Sequence, residues 1–111
     1  MPPRQSGYPR IIACDLDGTL LNGKGILSGA TAAALRKAVA SGVEVVIATG
    51  RRHSFAWTML DPIGLDPETI LISSNGAITR TFGGRHIDRI GMPVEIALQL
   101  CRQLDDFRNS I

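Results

Sequence analysis

Residues 11–21 decide the fold prediction because they join a short apolar run to two aspartates. They read Ile-Ile-Ala-Cys-Asp-Leu-Asp-Gly-Thr-Leu-Leu. The run over residues 11–14 is bounded by turn-forming residues, which is typical of a strand buried on both faces of a parallel sheet. In open parallel sheets, ligands gather beyond the carboxyl ends of the strands. Asp15 and Asp17 follow the run directly, so we expect a ligand site at this point.

Two carboxylates at the end of a strand fit phosphoryl-transfer chemistry. Their oxygens are hard ligands of the kind that Mg²⁺ prefers. One carboxylate can attack phosphorus while the other manages the proton of the leaving group. A calcium-binding loop would need glycine at position 20 and glutamate at position 26, where the sequence has Leu20 and Ile26. An ordinary Asp/Gly turn stays open as the alternative.

The next two strands and two helices are predicted from hydrophobic periodicity and capping residues. We expect helices over residues 29–41 and 54–60, the first of them capped by Ser28. Residues 43–48 and 70–73 have the apolar, β-branched composition of buried strands. This alternation predicts an α/β fold, with three parallel core strands and helices on both faces of the sheet.

The pattern changes after the third strand. Residues 78–81 and 85–88 flank a glycine pair and predict a hairpin, and an apolar stripe predicts a last helix from Pro93 to about Phe107. We divide the chain into three parts, which are a flexible tail (1–9), an α/β core (10–77), and a hairpin with a helix (78–111).

Small polar residues also follow the second and third strands. Thr49 offers a hydroxyl and Gly50 an unobstructed N–H, which suit a phosphate, although a Thr-Gly turn is common by itself. Asn75 is either a ligand-facing residue or a turn residue. Because all three parallel strands end at one edge, we expect these residues to line one pocket with the aspartates.

Three motifs resemble the haloacid dehalogenase superfamily in their order and spacing, and most resemble its Cof-type sugar-phosphate phosphatases. They are Asp15-Leu16-Asp17-Gly18-Thr19-Leu20-Leu21, Thr49-Gly50-Arg51 and Ser74-Asn75-Gly76-Ala77. The resemblance covers about residues 10–107. It implies a truncated Rossmann-like core, with residues 78–111 as the start of an inserted cap. It also implies a Mg²⁺-dependent phosphohydrolase that acts on small phosphorylated metabolites such as sugar phosphates.

The resemblance assigns roles to six residues. Asp15 is implied to be the nucleophile that forms an aspartyl-phosphate, and Asp17 the general acid and then the base. Both aspartates are implied to bind Mg²⁺. Thr49 and Gly50 are implied to hold the phosphoryl group, and Asn75 and Arg51 to contact the substrate.

The sequence departs from the family pattern in two places. The family has a later lysine that contacts the nucleophile and the phosphate, but no lysine follows Lys37 here. It also has a later acidic pair behind a strand, whereas Asp105-Asp106 follows an amphipathic helix. A non-catalytic remnant, an assembling subunit that binds Mg²⁺ or phosphate weakly, and a fragment of a longer product therefore stay open. The strand over residues 11–14 would also become an exposed edge, which predicts a homodimer or a complementing chain.

Five other residues are interpreted as mainly structural. Cys14 and Cys101 are predicted to pack in apolar surroundings. His53 is interpreted as a capping or surface residue, with a substrate contact as the alternative. His86 is expected at the surface, and Trp57 in the core or on a partly covered helix face.

The composition of the chain argues against several classes of binding partner and environment. A net charge of +2, with scattered arginines, argues against a nucleic-acid partner. The longest apolar runs are far below the ~18 residues that span a bilayer, so no membrane is expected. Two cysteines are too few for a disulfide-stapled secreted scaffold, and we expect a reduced cytoplasmic protein.

Overall fold

The computed structural model describes Gly7 and residues 10–105, so most of the predicted tail lies outside the described residues. The elements in chain order are β1 (Ile11–Asp15), α1 (Gly29–Ala40), β2 (Glu44–Ala48), α2 (His53–Leu60), β3 (Ile70–Ser73), β4 (Ile78–Thr81), β5 (His86–Arg89) and α3 (Val94–Gln103). Two 3₁₀ turns, Asp61–Ile63 and Ser74–Gly76, follow α2 and β3. The predicted helices and strands are confirmed within a few residues.

Local capping explains where α1 begins and ends. The Ser28 hydroxyl accepts a hydrogen bond from the Thr31 N–H at 3.1 Å, which satisfies one free donor of the first turn. Gly42 lies just past the helix with a φ of 84°, in the left-handed region that glycine tolerates best.

The five strands form one sheet in the order β1-β2-β3-β4-β5. The first three strands are parallel, which confirms the predicted α/β core. The strands β4 and β5 are antiparallel and continue the same sheet beyond β3. The hairpin that the sequence predicted therefore extends the core sheet.

The register of the sheet aligns the carboxyl ends of the parallel strands. Asp15 pairs with Ala48, and Ala48 pairs with Ile72. The residues that follow each strand therefore leave the sheet at the same edge. We call this the catalytic edge, after the chemistry that the sequence predicts for Asp15 and Asp17.

The hydrophobic core lies on one face of the sheet. It contains Val45, Ile47 and Leu71 from the strands, together with Leu35 from α1 and Leu60 from α2. Both helices thus cover the same face, which differs from the expected arrangement with helices on both faces. Right-handed crossovers that step in one direction, from β1 to β2 to β3, place their helices on one side of a sheet.

The first strand is less buried than predicted. Ile11 is 57% exposed, Ala13 is exposed, and Ile12 and Cys14 are half-buried. The prediction of a strand buried on both faces is wrong for β1 because it lies at the edge of the sheet, with no helix on its outer face. The prediction of an exposed apolar edge is confirmed for the part of the chain that the structure describes.

The last helix has no buried residue, although its apolar stripe is where the sequence predicted it. Val94, Leu98 and Leu104 are each about half exposed or more. Cys101 is exposed as well, so its predicted role in packing is wrong. None of the helices described is both long and apolar enough to span a membrane.

Candidate active site

The Asp15–Asp17 loop is held in place by the backbone and by one fully buried side chain. Leu16 is 0% exposed and anchors the loop in the core. Its N–H donates to Asp15 Oδ1 at 2.7 Å, and the Leu20 N–H donates to the Asp15 carbonyl at 3.3 Å. Gly18 turns the chain with a φ of 75°. One oxygen of Asp15 is thus engaged, while Oδ2 has no hydrogen bond from the residues described.

Arg51 holds the second carboxylate through two hydrogen bonds. Its Nε donates to Asp17 Oδ2 at 3.0 Å and its Nη2 to Oδ1 at 3.3 Å. The Arg51 Cζ also lies 4.5 Å from the centroid of the Phe55 ring, within the range of a cation–π contact. The hydrogen bonds that Arg51 donates to Asp17, and then the negative charge of Asp17, raise the pKa of Arg51. Arg51 is therefore a permanent cation that bridges Asp17 and the first turn of α2.

Thr49 presents a buried hydroxyl at the end of β2. Its N–H donates to the Ile72 carbonyl at 2.9 Å, which continues the ladder between β2 and β3. Its Oγ1 accepts a hydrogen bond from the Arg51 N–H at 3.1 Å. Because a hydroxyl can accept and donate at once, the Thr49 O–H is still available to a ligand.

The loops after β2 and β3 are bonded to each other. The Ser74 N–H donates to the Arg51 carbonyl at 2.8 Å, and the Asn75 N–H to the Thr49 carbonyl at 3.4 Å. Ser74 and Asn75 have φ values of 52° and 56°, a left-handed conformation that is uncommon for residues other than glycine. Such conformations persist where the surroundings hold them, and they cluster at functional sites.

Gly50 lies close to the side chain of Asn75 in the neighbouring loop. A Cβ atom at this position would lie 2.7 Å from Asn75 Oδ1, closer than real Cβ contacts allow. The residue type at position 50 therefore follows from packing against Asn75, as well as from any contact of its N–H with a phosphate.

The structure brings the six predicted site residues to the catalytic edge. Arg51, predicted to contact the substrate, here contacts Asp17. Sequence reasoning missed the support that Phe55 gives to Arg51. The spacing of an arginine and an aromatic residue four positions apart was the available signal.

The donors at this edge fit Mg²⁺ in part. The described residues contain no group of three or more His, Cys, Asp or Glu side chains that could hold a metal ion. Asp15 and Asp17 are, however, hard oxygen donors at a strand end. Mg²⁺ is usually bound by one or two carboxylates, with substrate phosphate and waters as the other ligands. The two aspartates therefore fit a Mg²⁺ ion that also binds the substrate phosphate.

The other candidate residues named from the sequence differ in their exposure to solvent. Trp57 is 42% exposed and stacks on Phe82 with the ring centroids 6.3 Å apart, as a partly covered helix residue. His86 is exposed, as predicted, and His53 is half-buried. Cys14 is half-buried, and burial raises the pKa of its thiol.

The fold is an α/β sheet with Asp15 at the end of β1, Asp17 just beyond it, and hydrogen-bonded loops after β2 and β3, which is where open parallel sheets bind ligands. A family model described as haloacid dehalogenase-like hydrolase matches residues 12–111. The chain belongs to the haloacid dehalogenase-like hydrolase family, in agreement with the resemblance of its motifs.

Relatives of known name support this assignment. Phosphatase YwpJ of Bacillus subtilis is 45% identical over 76 residues, which are 68% of this chain and 26% of that protein. Pyridoxal phosphate phosphatase YbhA of Escherichia coli is 36% identical over 98 residues, which are 87% of this chain and 35% of that protein. The structure of a haloacid dehalogenase-like hydrolase from B. subtilis matches with a TM-score of 0.79 and 37% identity, covering 87% of this chain and 33% of that one.

These relatives are Cof-type phosphatases, and the chain corresponds to their N-terminal part. It spans between about a quarter and about a third of the length of the relatives named above.

Proposed function

We propose that the chain provides the nucleophile half of a Mg²⁺-dependent phosphohydrolase site that acts on small phosphorylated metabolites such as sugar phosphates. The main observation in support of this proposal is that Asp15, Asp17 and Thr49 lie at the catalytic edge, where the register aligns β1, β2 and β3. Bound Mg²⁺ would be held by the two aspartates and would neutralise charge on the phosphate.

The free oxygen of Asp15 is the proposed nucleophile. Because the Leu16 N–H engages Oδ1, Oδ2 is the atom with its lone pairs available. Its attack forms an O–P bond to Asp15 as the bond from phosphorus to the leaving oxygen breaks. The buried Thr49 hydroxyl and the Gly50 N–H would hold the phosphoryl oxygens during this step.

Asp17 is the proposed proton carrier. In its protonated form it gives a proton to the leaving oxygen, and it then takes a proton from the water that attacks the aspartyl-phosphate. The bond between phosphorus and Asp15 breaks in this second step, and inorganic phosphate leaves. Arg51 pairs with the ionised carboxylate, the form of Asp17 that acts as the base. Asn75, and Arg51 when it leaves Asp17, would face the substrate.

The experiment is Mg²⁺-dependent phosphate release by the purified chain over a panel of sugar phosphates. The Asp15→Asn variant is expected to remove the release, while Glu44→Gln, at the other end of β2, is expected to retain it. Peptide mass spectrometry after a rapid quench should find the phosphoryl group on Asp15. Release that persists in Asp15→Asn would contradict the proposal.

A second candidate is a non-catalytic remnant that binds Mg²⁺ or phosphate weakly. The side chains at the catalytic edge favour this second candidate, because those of the described residues include two carboxylates and no lysine. Losing one electrostatic stabiliser commonly lowers an enzymatic rate by about 10²–10³-fold. No release from a chain with an intact circular dichroism spectrum would support this candidate.

We also propose that the outer edge of β1 pairs with another chain, either a second copy or a complementing one. The Arg10 carbonyl accepts from the Glu44 N–H, so alternate residues of β1 bond to β2 and the others direct their backbone groups outward. An exposed apolar edge of this kind invites pairing. Ala13→Lys should lower the mass seen by light scattering, and Ile87→Lys on the opposite edge should not. A strictly monomeric parent chain at high concentration would refute this proposal.

The predicted cytoplasmic location and the assignment of residues 78–111 to the start of a cap both remain proposals. The exposed apolar face of α3 supports the second of these proposals, because such a face commonly packs against another domain or chain.

A further inference from the structure

Three basic residues belong to neighbouring elements around the first turn of α2. His53 is the first residue of this helix, Arg80 lies in β4, and His86 lies in β5. Arg80 and His86 are cross-strand partners in the register of the hairpin. Trp57, one turn after His53 in α2, stacks on Phe82, two residues after Arg80, so the first turns of α2 lie against this part of the hairpin. Burial, and then the charges of Arg80 and His86, lower the pKa of His53.

Two atoms of this basic cluster have unmet hydrogen-bonding capacity. His53 Nδ1 and Arg80 Nε are both shielded from solvent, and neither has a hydrogen-bond partner among the residues that the structure describes. Most shielded polar atoms in folded proteins are hydrogen-bonded, and an unpaired one is destabilising. The Arg80 Nε–H can only donate, and it therefore requires an acceptor. Within the same part of the chain, no carboxylate forms an ion pair with Arg80.

A cleft of about 450 Å³ opens beside the cluster. His53 lines it together with the stacked rings of Trp57 and Phe82, and Gly83 lies at its rim. The cleft thus combines an apolar wall with a histidine at one end. Binding sites for small organic molecules commonly have this composition, an apolar lining with a few polar groups that fix the orientation of the ligand.

We propose that His53, Arg80 and His86 form a binding site for one oxyanion, a phosphate or a carboxylate group, whose organic part lies in the adjoining cleft. An anionic oxygen would accept from the Arg80 Nε–H and from a protonated His53, which satisfies both unpaired atoms. It would also supply the negative charge that the cluster lacks. The site requires only binding, and it does not depend on phosphate hydrolysis at the catalytic edge.

Anion binding at this site should be linked to the protonation of His53, which can be measured. The charged and titratable groups that act on His53 are Arg80 and His86 on the adjacent strands, and Arg52 precedes it in the chain. Burial, Arg80 and His86 disfavour a proton on His53, whereas a bound anion favours one. Anion binding should therefore raise the pKa of His53, and the affinity should increase as the pH falls through the range in which His53 titrates.

The test is a nitrogen-15 NMR titration of the histidine side chains at constant ionic strength. The sequence contains two histidines, so the His86→Gln variant assigns both signals. Inorganic phosphate, phenyl phosphate and benzoate are the probes, and they separate the preferred anion from the contribution of the organic part. Each probe is also followed at the backbone amides of Thr49 and Gly50, which report on the catalytic edge.

We expect a saturable shift of the His53 signal and a raised His53 pKa in the bound state. Arg80→Gln should weaken this binding about tenfold or more, because it removes a charged hydrogen bond. The matched variant Arg85→Gln, an exposed arginine of the same hairpin that pairs with Glu68, should leave the binding unchanged. If Arg80→Gln does not fold, His53→Gln serves instead, with binding followed at the amide of Phe82.

Three results would overturn the inference. The first is a His53 signal that does not move with any probe. The second is a shift that Arg85→Gln reduces as much as Arg80→Gln does, which would indicate non-specific charge attraction. The third is phosphate binding that shifts the amides of Thr49 and Gly50 but not His53, which would leave the proposed function intact and remove this site.

Discussion

The loops at the catalytic edge and the helix α3 differ in what holds them in place. The loops after β2 and β3 are short, yet backbone hydrogen bonds join Ser74 to Arg51 and Asn75 to Thr49. The helix α3 is longer and strongly amphipathic, but none of its residues is buried. Tertiary contacts therefore fix the loops, whereas α3 buries none of its residues against the part of the chain that the structure describes.

This difference shows where the stability of the chain comes from. Removing apolar surface from water is the dominant favourable contribution to folding, and the core on one face of the sheet provides it. The apolar side chains of α3 and of the outer edge of β1 remain in water and contribute little. The described part of the chain therefore combines a packed α/β core with two uncovered apolar surfaces.

The largest predicted effect is on the free energy of unfolding, and it distinguishes the packed core from α3. Leu71→Ala should lower the free energy of unfolding by about 2–5 kcal/mol, because Leu71 is 1% exposed in the centre of the core. Leu98→Ala makes the same chemical change in α3, where Leu98 is 51% exposed, and should stay within about 0.5 kcal/mol. Urea denaturation of both variants measures the difference. Equal losses would show that α3 is packed against the core in solution.

The sequence predicted some features of the fold and of the candidate site and missed others. The parallel strands, the Ser28 cap and the grouping of Asp15 with Thr49 were predictable, since they depend on local pattern and on the handedness of crossovers. The burial of β1 was not, because a run of apolar residues does not show whether a neighbouring strand or helix covers it. The partner of Arg51 was also unpredictable, because residues 17 and 51 meet only through the tertiary fold.

A smaller effect tests how tightly the two loops are joined. Gly50→Ala places a Cβ against Asn75 Oδ1 and should cost about 1 kcal/mol, at the low end for overpacking, because the Asn75 side chain can turn away. Gly29→Ala, in the first turn of α1, has open space around it and should instead gain about 0.4–1 kcal/mol. Thermal unfolding of the two variants gives the sign of each change. If Gly50→Ala is neutral, the loops are less closely packed than the structure shows.

The smallest predicted effect compares the two histidines, one at the border of the core and one outside it. The folded chain holds the pKa of His53 below its ordinary value of 6.5, first through burial and then through the charges of Arg80 and His86. Between the folded and unfolded values the unfolded chain binds more protons, so stability rises with pH in this window. The contribution of His53 is therefore fully present above about pH 6.5 and is lost as the pH falls through the folded value.

Urea denaturation in a cationic buffer, at a series of pH values from about 7.5 downward, measures this loss without adding an oxyanion. His53→Gln should flatten the decrease in stability, since it removes the group that titrates. His86→Gln should leave most of the decrease in place, because burial, the main cause of the shift, is unchanged when an exposed histidine is replaced. A decrease that is the same in the parent chain and in His53→Gln would show that His53 is as open to solvent as His86. The boundary between the packed and uncovered regions would then lie inside the first turn of α2.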